Sequence, residues 1–157
     1  MRFEEQVQVP LSARQAWEFL WQPGRLAGCL PGCTQVEEIE AGRAYKARFE
    51  DAIGPYRVHF DLDVVVQESQ PHELVRLLAT GQDRRLGVSQ RVVMAVALHE
   101  RDEQNTVLDI AADIQILGKV ATLGQFAIKR KARDIVQRFA RNIQTELQPQ
   151  ATGGSNA

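Results

Sequence analysis

The apolar residues of this chain predict an α+β domain: a curved, seven-stranded antiparallel sheet wrapped around one long C-terminal helix, with two short helices after the first strand. Three observations lead there. Seven segments alternate apolar and polar side chains with the period of two that marks a half-buried strand. The links between the last six are too short for parallel crossovers, so sequential strands run antiparallel. After Gly118 the period changes to 3.6 and holds for roughly five turns, which calls for a long amphipathic helix.

The elements follow in order. Residues 2–9 place Phe3, Val7 and Val9 on one side and Arg2, Glu4, Gln6 and Gln8 on the other, and Pro10 ends that strand. Ser12 stands three residues before Gln15, a capping-box spacing, and Ala16, Trp17, Phe19 and Leu20 form the apolar face of a short helix stopped at Pro23-Gly24. A second helical turn through Leu26, Ala27 and Leu30 breaks at Pro31-Gly32. Strands are then expected at 34–40, 43–51, 55–67, 73–81, 87–100 and 105–117. In the third of these, Tyr56, Val58, Phe60, Leu62, Val64 and Val66 alternate with polar residues and only Val65 is out of step, giving one dry face and one wet face. Ile128, Ala132, Ile135, Val136, Phe139, Ile143 and Leu147 share one face of the final helix. Residues 1–148 therefore read as a single domain, and 149–157, poor in apolar side chains, as a flexible tail. A strongly curved sheet and a straight helix about 10 Å wide do not fill the same space, so a cavity is expected between them.

Composition narrows the function. At 157 residues, 44% hydrophobic and 25% charged, the chain supports one core of its own. Cys29 and Cys33 are the only cysteines, and no secretory leader opens the sequence, so a reducing compartment is expected and the protein reads as cytoplasmic. Every apolar run falls short of the roughly 20 residues that span a bilayer. A net charge of −1 argues against nucleic acid as a partner. The charge is uneven, however: residues 119–147 hold seven basic side chains against two acidic ones, while residues 1–118 hold 12 against 18.

Several motifs carry a family resemblance. Leu30-Pro31-Gly32-Cys33, Ile53-Gly54-Pro55-Tyr56, the run from Gly118 to Gly124, and Val9-Pro10 followed by Trp17-Glu18-Phe19-Leu20 together resemble the G-subunit family of carbon monoxide dehydrogenase, and they fall in the right order along the chain. That family lies within the START-like helix-grip superfamily, together with polyketide cyclases and the birch-pollen allergen. The resemblance implies a non-catalytic accessory protein, often encoded beside molybdenum hydroxylases and tied to enzyme maturation or membrane attachment, with an apolar pocket for a lipid or quinone-like guest. Part of the family carries a C-terminal extension for membrane contact. This chain stops soon after its last helix, so at most transient, peripheral contact at the inner face of the membrane is expected.

The inferred inward positions set the candidate site. Trp17, Leu30, Pro31, Tyr45, Phe49, Phe60 and Leu62 are expected to line the cavity, together with Val92, Met94, Ile110, Ile114, Leu123 and Phe126. Leu30-Pro31-Gly32 is placed to form its lip, and the apolar run from Gly118 to Gly124 to dock on the core or line the opposite rim. Lys129, Arg130, Lys131 and Arg133 form a basic run on the last helix, a solvated face or a docking surface for an acidic partner. No metal or cofactor is expected. His59, Asp61 and Asp63 share the wet face of their strand, and two cysteines are too few for a structural zinc site. Among titratable groups only Tyr45, Tyr56 and Glu5 fall in inward registers. They support a rival reading as a cyclase or dehydratase acting on an aromatic or polyketide-like substrate, and a docking protein with no ligand is a third.

Overall fold

The computed structural model describes residues 1–118, 120 and 124–148. Its strands are β1 (Arg2–Val9), β2 (Cys33–Glu40), β3 (Ala44–Ile53), β4 (Tyr56–Gln70), β5 (Leu74–Asp83), β6 (Val88–Asp102) and β7 (Asn105–Gly118). Helices α1 (Ala13–Leu20) and α2 (Pro23–Cys29) lie between β1 and β2, and α3 (Gln125–Glu146) follows β7. The strands form one sheet in the order β1-β7-β6-β5-β4-β3-β2, with every pair antiparallel. Helices α1 and α2 carry the chain from one edge of the sheet to the other. The expected tail at 149–157 lies outside the described residues.

The strands outrun the expected bounds where polar residues continue the ladder. β4 extends to Gln70, β5 to Asp83 and β6 to Asp102, because backbone pairing persists after apolar alternation has ended. A register shift between Val66 and Glu68 marks a bulge in β4, and Val65, before it, keeps the alternation and lies exposed on the outer face. The capping box of α1 is complete: Gln15 N–H donates to Ser12 Oγ at 3.2 Å and Ser12 N–H to Gln15 Oε1 at 3.1 Å.

One expectation is corrected here. Pro23-Gly24 does not merely stop α1; it forms the first turn of α2, where a proline's missing N–H is not needed. With Gly24 and Gly28 inside seven residues and no side-chain cap, α2 has little intrinsic helical preference. Tertiary bonds hold it instead: Asn142 Nδ2 donates to the Cys29 carbonyl at 2.8 Å, and Arg25 pairs with Glu146 at 2.8 Å, both reaching α2 from α3.

The sheet's concave face closes on α3, which packs chiefly on β1 at one edge. Toward the other edge Lys131 Nζ meets Asp51 Oδ1 of β3, the strand next to the edge strand β2, at 3.0 Å. The largest core cluster gathers Val7 and Val9 of β1, Ala16, Phe19 and Leu20 of α1, Leu108 and Ile110 of β7, and Phe139 and Ile143 of α3. Each of the valine, leucine, isoleucine and phenylalanine side chains among them contributes about 1.5–3 kcal/mol by leaving water.

Candidate functional site

The inward rows of β6 and β7 change character along their length. Leu98, Leu108 and Ile110 belong to the sealed core under α1 and the C-terminal half of α3, and Val96 stands at the boundary, in both that core and the cavity wall. Further along the same strands and on the same face, Gln90, Val92, Met94, Ile114 and Ile116 border a partly open cavity of about 290 Å³. β3 and β4 supply Tyr45, Ala47, Phe49, Phe60, Leu62 and Val64, while α2 supplies Pro23, Leu26 and Ala27. α3 completes the wall with Ile128, Ala132, Ile135 and Val136. The lining is almost entirely hydrocarbon, the usual surface of a site for an apolar guest.

Besides the indole of Trp21 and the thioether of Met94, four side chains bring heteroatoms to this wall: Cys33, Tyr45, Gln90 and Lys131. Tyr45 Oη accepts the Gly42 N–H at 2.9 Å. Lys131 is committed to Asp51. Burial pushes the Cys33 thiol up, against a smaller opposing effect of its contact with the Gln35 backbone, so it stays protonated near neutral pH. Gln90 Nε2 is buried and has no hydrogen-bond partner among the described residues.

Of the residues expected to line the cavity, Leu30, Tyr45, Phe49, Phe60, Leu62, Val92, Met94 and Ile114 stand in its wall. Four others do not. Trp17 lies in the sealed core, edge-on to Trp21 at 5.6 Å, and it is Trp21 that borders the cavity. Ile110, 1% exposed, is also in the sealed core, because α1 and the end of α3 fill the space above it. Phe126 is 77% exposed: it precedes Ile128 by two residues, which puts it on the opposite side of α3 from the apolar stripe, with the Arg130 guanidinium over its ring at 5.5 Å. Pro31 sits in the turn after α2, outside the wall. The neighbouring Gly32 has φ 91°, and a Cβ there would come within 2.7 Å of the Phe49 ring, so the turn is docked on that side chain. Leu123 lies outside the described residues.

The basic run divides as well. Lys129, Arg130 and Arg133 are exposed. Lys131, expected on the outer face, is corrected: it flanks Ala132 on the shoulder of the apolar stripe, and its methylene stem lines the cavity while its ammonium pairs with Asp51. Sequence reasoning left Trp21, Leu26, Ala27, Ile128 and Ile135 out of the site. Gln90 is the one amide within the dry alternation Val88-Gln90-Val92-Met94.

The rival catalytic groups are not gathered. Tyr45 lines the cavity, Tyr56 packs with Ile53 and Val58 at the start of β4, and Glu5 lies half-buried on β1 opposite Ile110. On the outer face of β4, His59, Asp61 and Asp63 stand directly opposite Glu50, Arg48 and Lys46 and pair with them at 3.5, 3.2 and 3.4 Å. The two aspartates are in cross-strand ion pairs and His59 in a cross-strand contact with Glu50, and no group of three or more potential metal ligands occurs among the described residues. Cys29 is buried and unbridged, and burial, aided by Glu146 and opposed by Arg25, raises its thiol too.

Asp83, 4% exposed, fastens the far end of β4 to the β5–β6 turn. Its carboxylate accepts the N–H groups of His59 at 2.9 Å and Leu86 at 3.1 Å. Burial alone would raise its pKa, but these donors and the nearby Arg85 guanidinium together hold it below the usual carboxylate range.

No helix among the described residues is long and apolar enough to cross a membrane. No curated protein matches the sequence. Among solved structures, a conserved protein from Geobacillus kaustophilus superposes with a TM-score of 0.81 at 22% identity, covering 94% of this chain and 95% of that one. A START superfamily protein from Mycobacterium smegmatis gives 0.69 at 12% identity over 93% and 96%. The Zhui aromatase/cyclase from Streptomyces gives 0.67 at 15% identity over 94% and 90%. These likenesses identify the fold as START-like helix-grip. The model of the CoxG family, the G-subunit of carbon monoxide dehydrogenase, matches residues 5–148, nearly the whole described chain, and the protein belongs to that family.

Proposed function

We propose that the protein is a non-enzymatic carrier that holds a hydrophobic small molecule, lipid or quinone-like, in the cavity under its sheet. It serves a molybdenum hydroxylase such as carbon monoxide dehydrogenase in maturation, membrane recruitment or delivery of an electron carrier. The single observation that carries the first part is the wall itself: a partly open cavity of about 290 Å³ lined by hydrocarbon from β3, β4, β6, β7, α2 and α3. An empty space with such a lining forfeits dispersion contacts that an apolar guest restores. Membership of the family supports the second part. The exposed Lys129, Arg130 and Arg133 supply a surface suited to an acidic protein partner.

The fold is shared with an aromatase/cyclase, but general acid–base chemistry needs positioned titratable groups, and only Tyr45 of the three candidates borders the cavity. The carrier reading is therefore preferred. Native mass spectrometry of freshly purified protein, followed by solvent extraction, tests it. The expected result is a protein adduct that releases an apolar molecule. Repeatedly unliganded protein that also fails to take up an added hydrophobic fluorophore overturns the carrier reading. Turnover of an aromatic polyketide that is lost on Tyr45→Phe replaces it with the cyclase reading.

A further inference from the structure

Gln90 brings to the cavity wall a fully buried polar atom, its Nε2, that has no hydrogen-bond partner among the described residues. It lies on β6, where its cross-strand neighbours are Gly81 on β5 and Ile116 on β7. Gly81 pairs in turn with Leu62 on β4, so the row that crosses the sheet at this level offers the amide only hydrocarbon or bare backbone. Its same-face neighbours along β6, Val88 and Val92, are hydrocarbon too. Gly81 matters to this arrangement because a Cβ there would come within 2.4 Å of the Asp61 carbonyl oxygen and 2.7 Å of Leu62 Cδ2. No side chain can stand beside the amide at that position without displacing the strand. Nε2 is buried without a partner among the described residues, and Gln90 borders the cavity.

A buried donor left unpaired is costly, whereas a hydrocarbon of similar shape at this position would not be. Three other polar groups of the wall have partners: Tyr45 Oη accepts from Gly42, Lys131 pairs with Asp51, and Cys33 Sγ meets the Gln35 carbonyl. We propose that Gln90 is the specificity-determining residue of the cavity, and that its amide donates a hydrogen bond to a carbonyl oxygen of the guest. The ligand class is then an apolar molecule with a carbonyl set within its hydrocarbon body, a ketone, quinone or ester, rather than a plain hydrocarbon. This rests on the carrier reading and goes one step past it. A wall of hydrocarbon alone ranks guests by size and apolar area. A single buried donor makes it discriminate between guests of one shape that differ by a carbonyl.

Fluorenone and fluorene test this directly, being rigid molecules of nearly the same shape that differ by a carbonyl in place of a methylene. Their dissociation constants are measured by quenching of the tryptophan emission, since Trp21 borders the cavity. Relative to wild type, Gln90→Leu is expected to weaken fluorenone by several-fold, up to about tenfold, and to leave fluorene unchanged or tighter. Gln90→Met serves as a second variant should Gln90→Leu fold poorly. The infrared carbonyl band of fluorenone bound to wild-type protein supplies a readout that needs no variant: it is expected to shift to lower frequency than in a hydrocarbon solvent. If both compounds bind and the Gln90 variants weaken them equally, or the carbonyl band stays at its hydrocarbon position, the role of Gln90 is overturned and the carrier reading stands. If neither compound binds wild-type protein, both fall together.

Discussion

Ile110 and Ile114 sit four residues apart on the same face of β7, yet one is 1% exposed in a sealed core and the other borders a cavity. The same contrast runs along β6 between Leu98 and the pair Val92 and Met94, with Val96 at the boundary. Strand alternation is identical at both ends, so it does not decide which end is filled. The helices decide. α1 and the C-terminal half of α3 cover the first end, whereas the second is covered by α2, a helix of seven residues, and by a stretch of α3 from which the sheet curls away. The filled end is held by hydrocarbon. The open end is fastened at its margins by polar groups: Asp83 to β4, Lys131 to Asp51, and Asn142 to α2.

The contrast can be broken most strongly by truncating the two isoleucines. Ile110→Ala is expected to cost about 3–4 kcal/mol in urea denaturation, since it leaves a void that its neighbours cannot fill. Ile114→Ala removes the same atoms from a wall that already faces space, and is expected to cost about 1–2 kcal/mol while changing ligand affinity. Equal losses would contradict the distinction between the two ends.

Asp83→Asn comes next, with an expected loss of about 1–3 kcal/mol near neutral pH. The sign of its pH dependence is fixed by the direction of the shift. The folded carboxyl ionises at lower pH than the unfolded one, so its stabilisation is complete above the unfolded value of about 4 and is lost as pH falls through the folded value. Thermal melts of the Asn variant should therefore show a weaker acid dependence than wild type.

Lys131→Met should cost about 1 kcal/mol or less, because the ammonium and carboxylate are only partly buried, but it leaves Asp51 unpaired at the cavity margin. Its larger expected effect is on stopped-flow ligand exchange, which should speed up. Asn142→Ala removes a single hydrogen bond to the end of α2, about 0.5–1.5 kcal/mol, and is likewise expected to accelerate exchange more than it lowers the melting temperature. The smallest effect on folding belongs to Lys129→Glu, Arg130→Glu and Arg133→Glu combined, within about 0.5 kcal/mol per site. In a pull-down with a molybdenum hydroxylase that triple reversal is expected to abolish salt-sensitive association.

How much of this was legible in the sequence depends on what each residue's position is set by. The alternation from Tyr56 to Val66 and the stripe from Ile128 to Leu147 fix strand, helix and inward face, because local period alone decides them. Burial depth is different. Nothing local separates Ile110 from Ile114, since the element that covers the first is α1, about a hundred residues away in the chain. Phe126 and Lys131 depart from expectation for a related reason: type suggests that one should face in and the other out, while their places around the helix dictate the reverse. α2 is equally hard to weigh, because its helical state comes from α3 and not from its own glycine-rich sequence.

The most direct test of the central claim, that a guest occupies the open end and leaves the filled end alone, is a methyl NMR titration of protein labelled at its isoleucine δ1 carbons, with fluorenone as the guest. Ile114, Ile116, Ile128 and Ile135 border the cavity and are expected to shift, while Ile110 and the exposed Ile39 hold their positions. Shifts centred on Ile110, or a saturating titration that moves none of the cavity methyls, would contradict it.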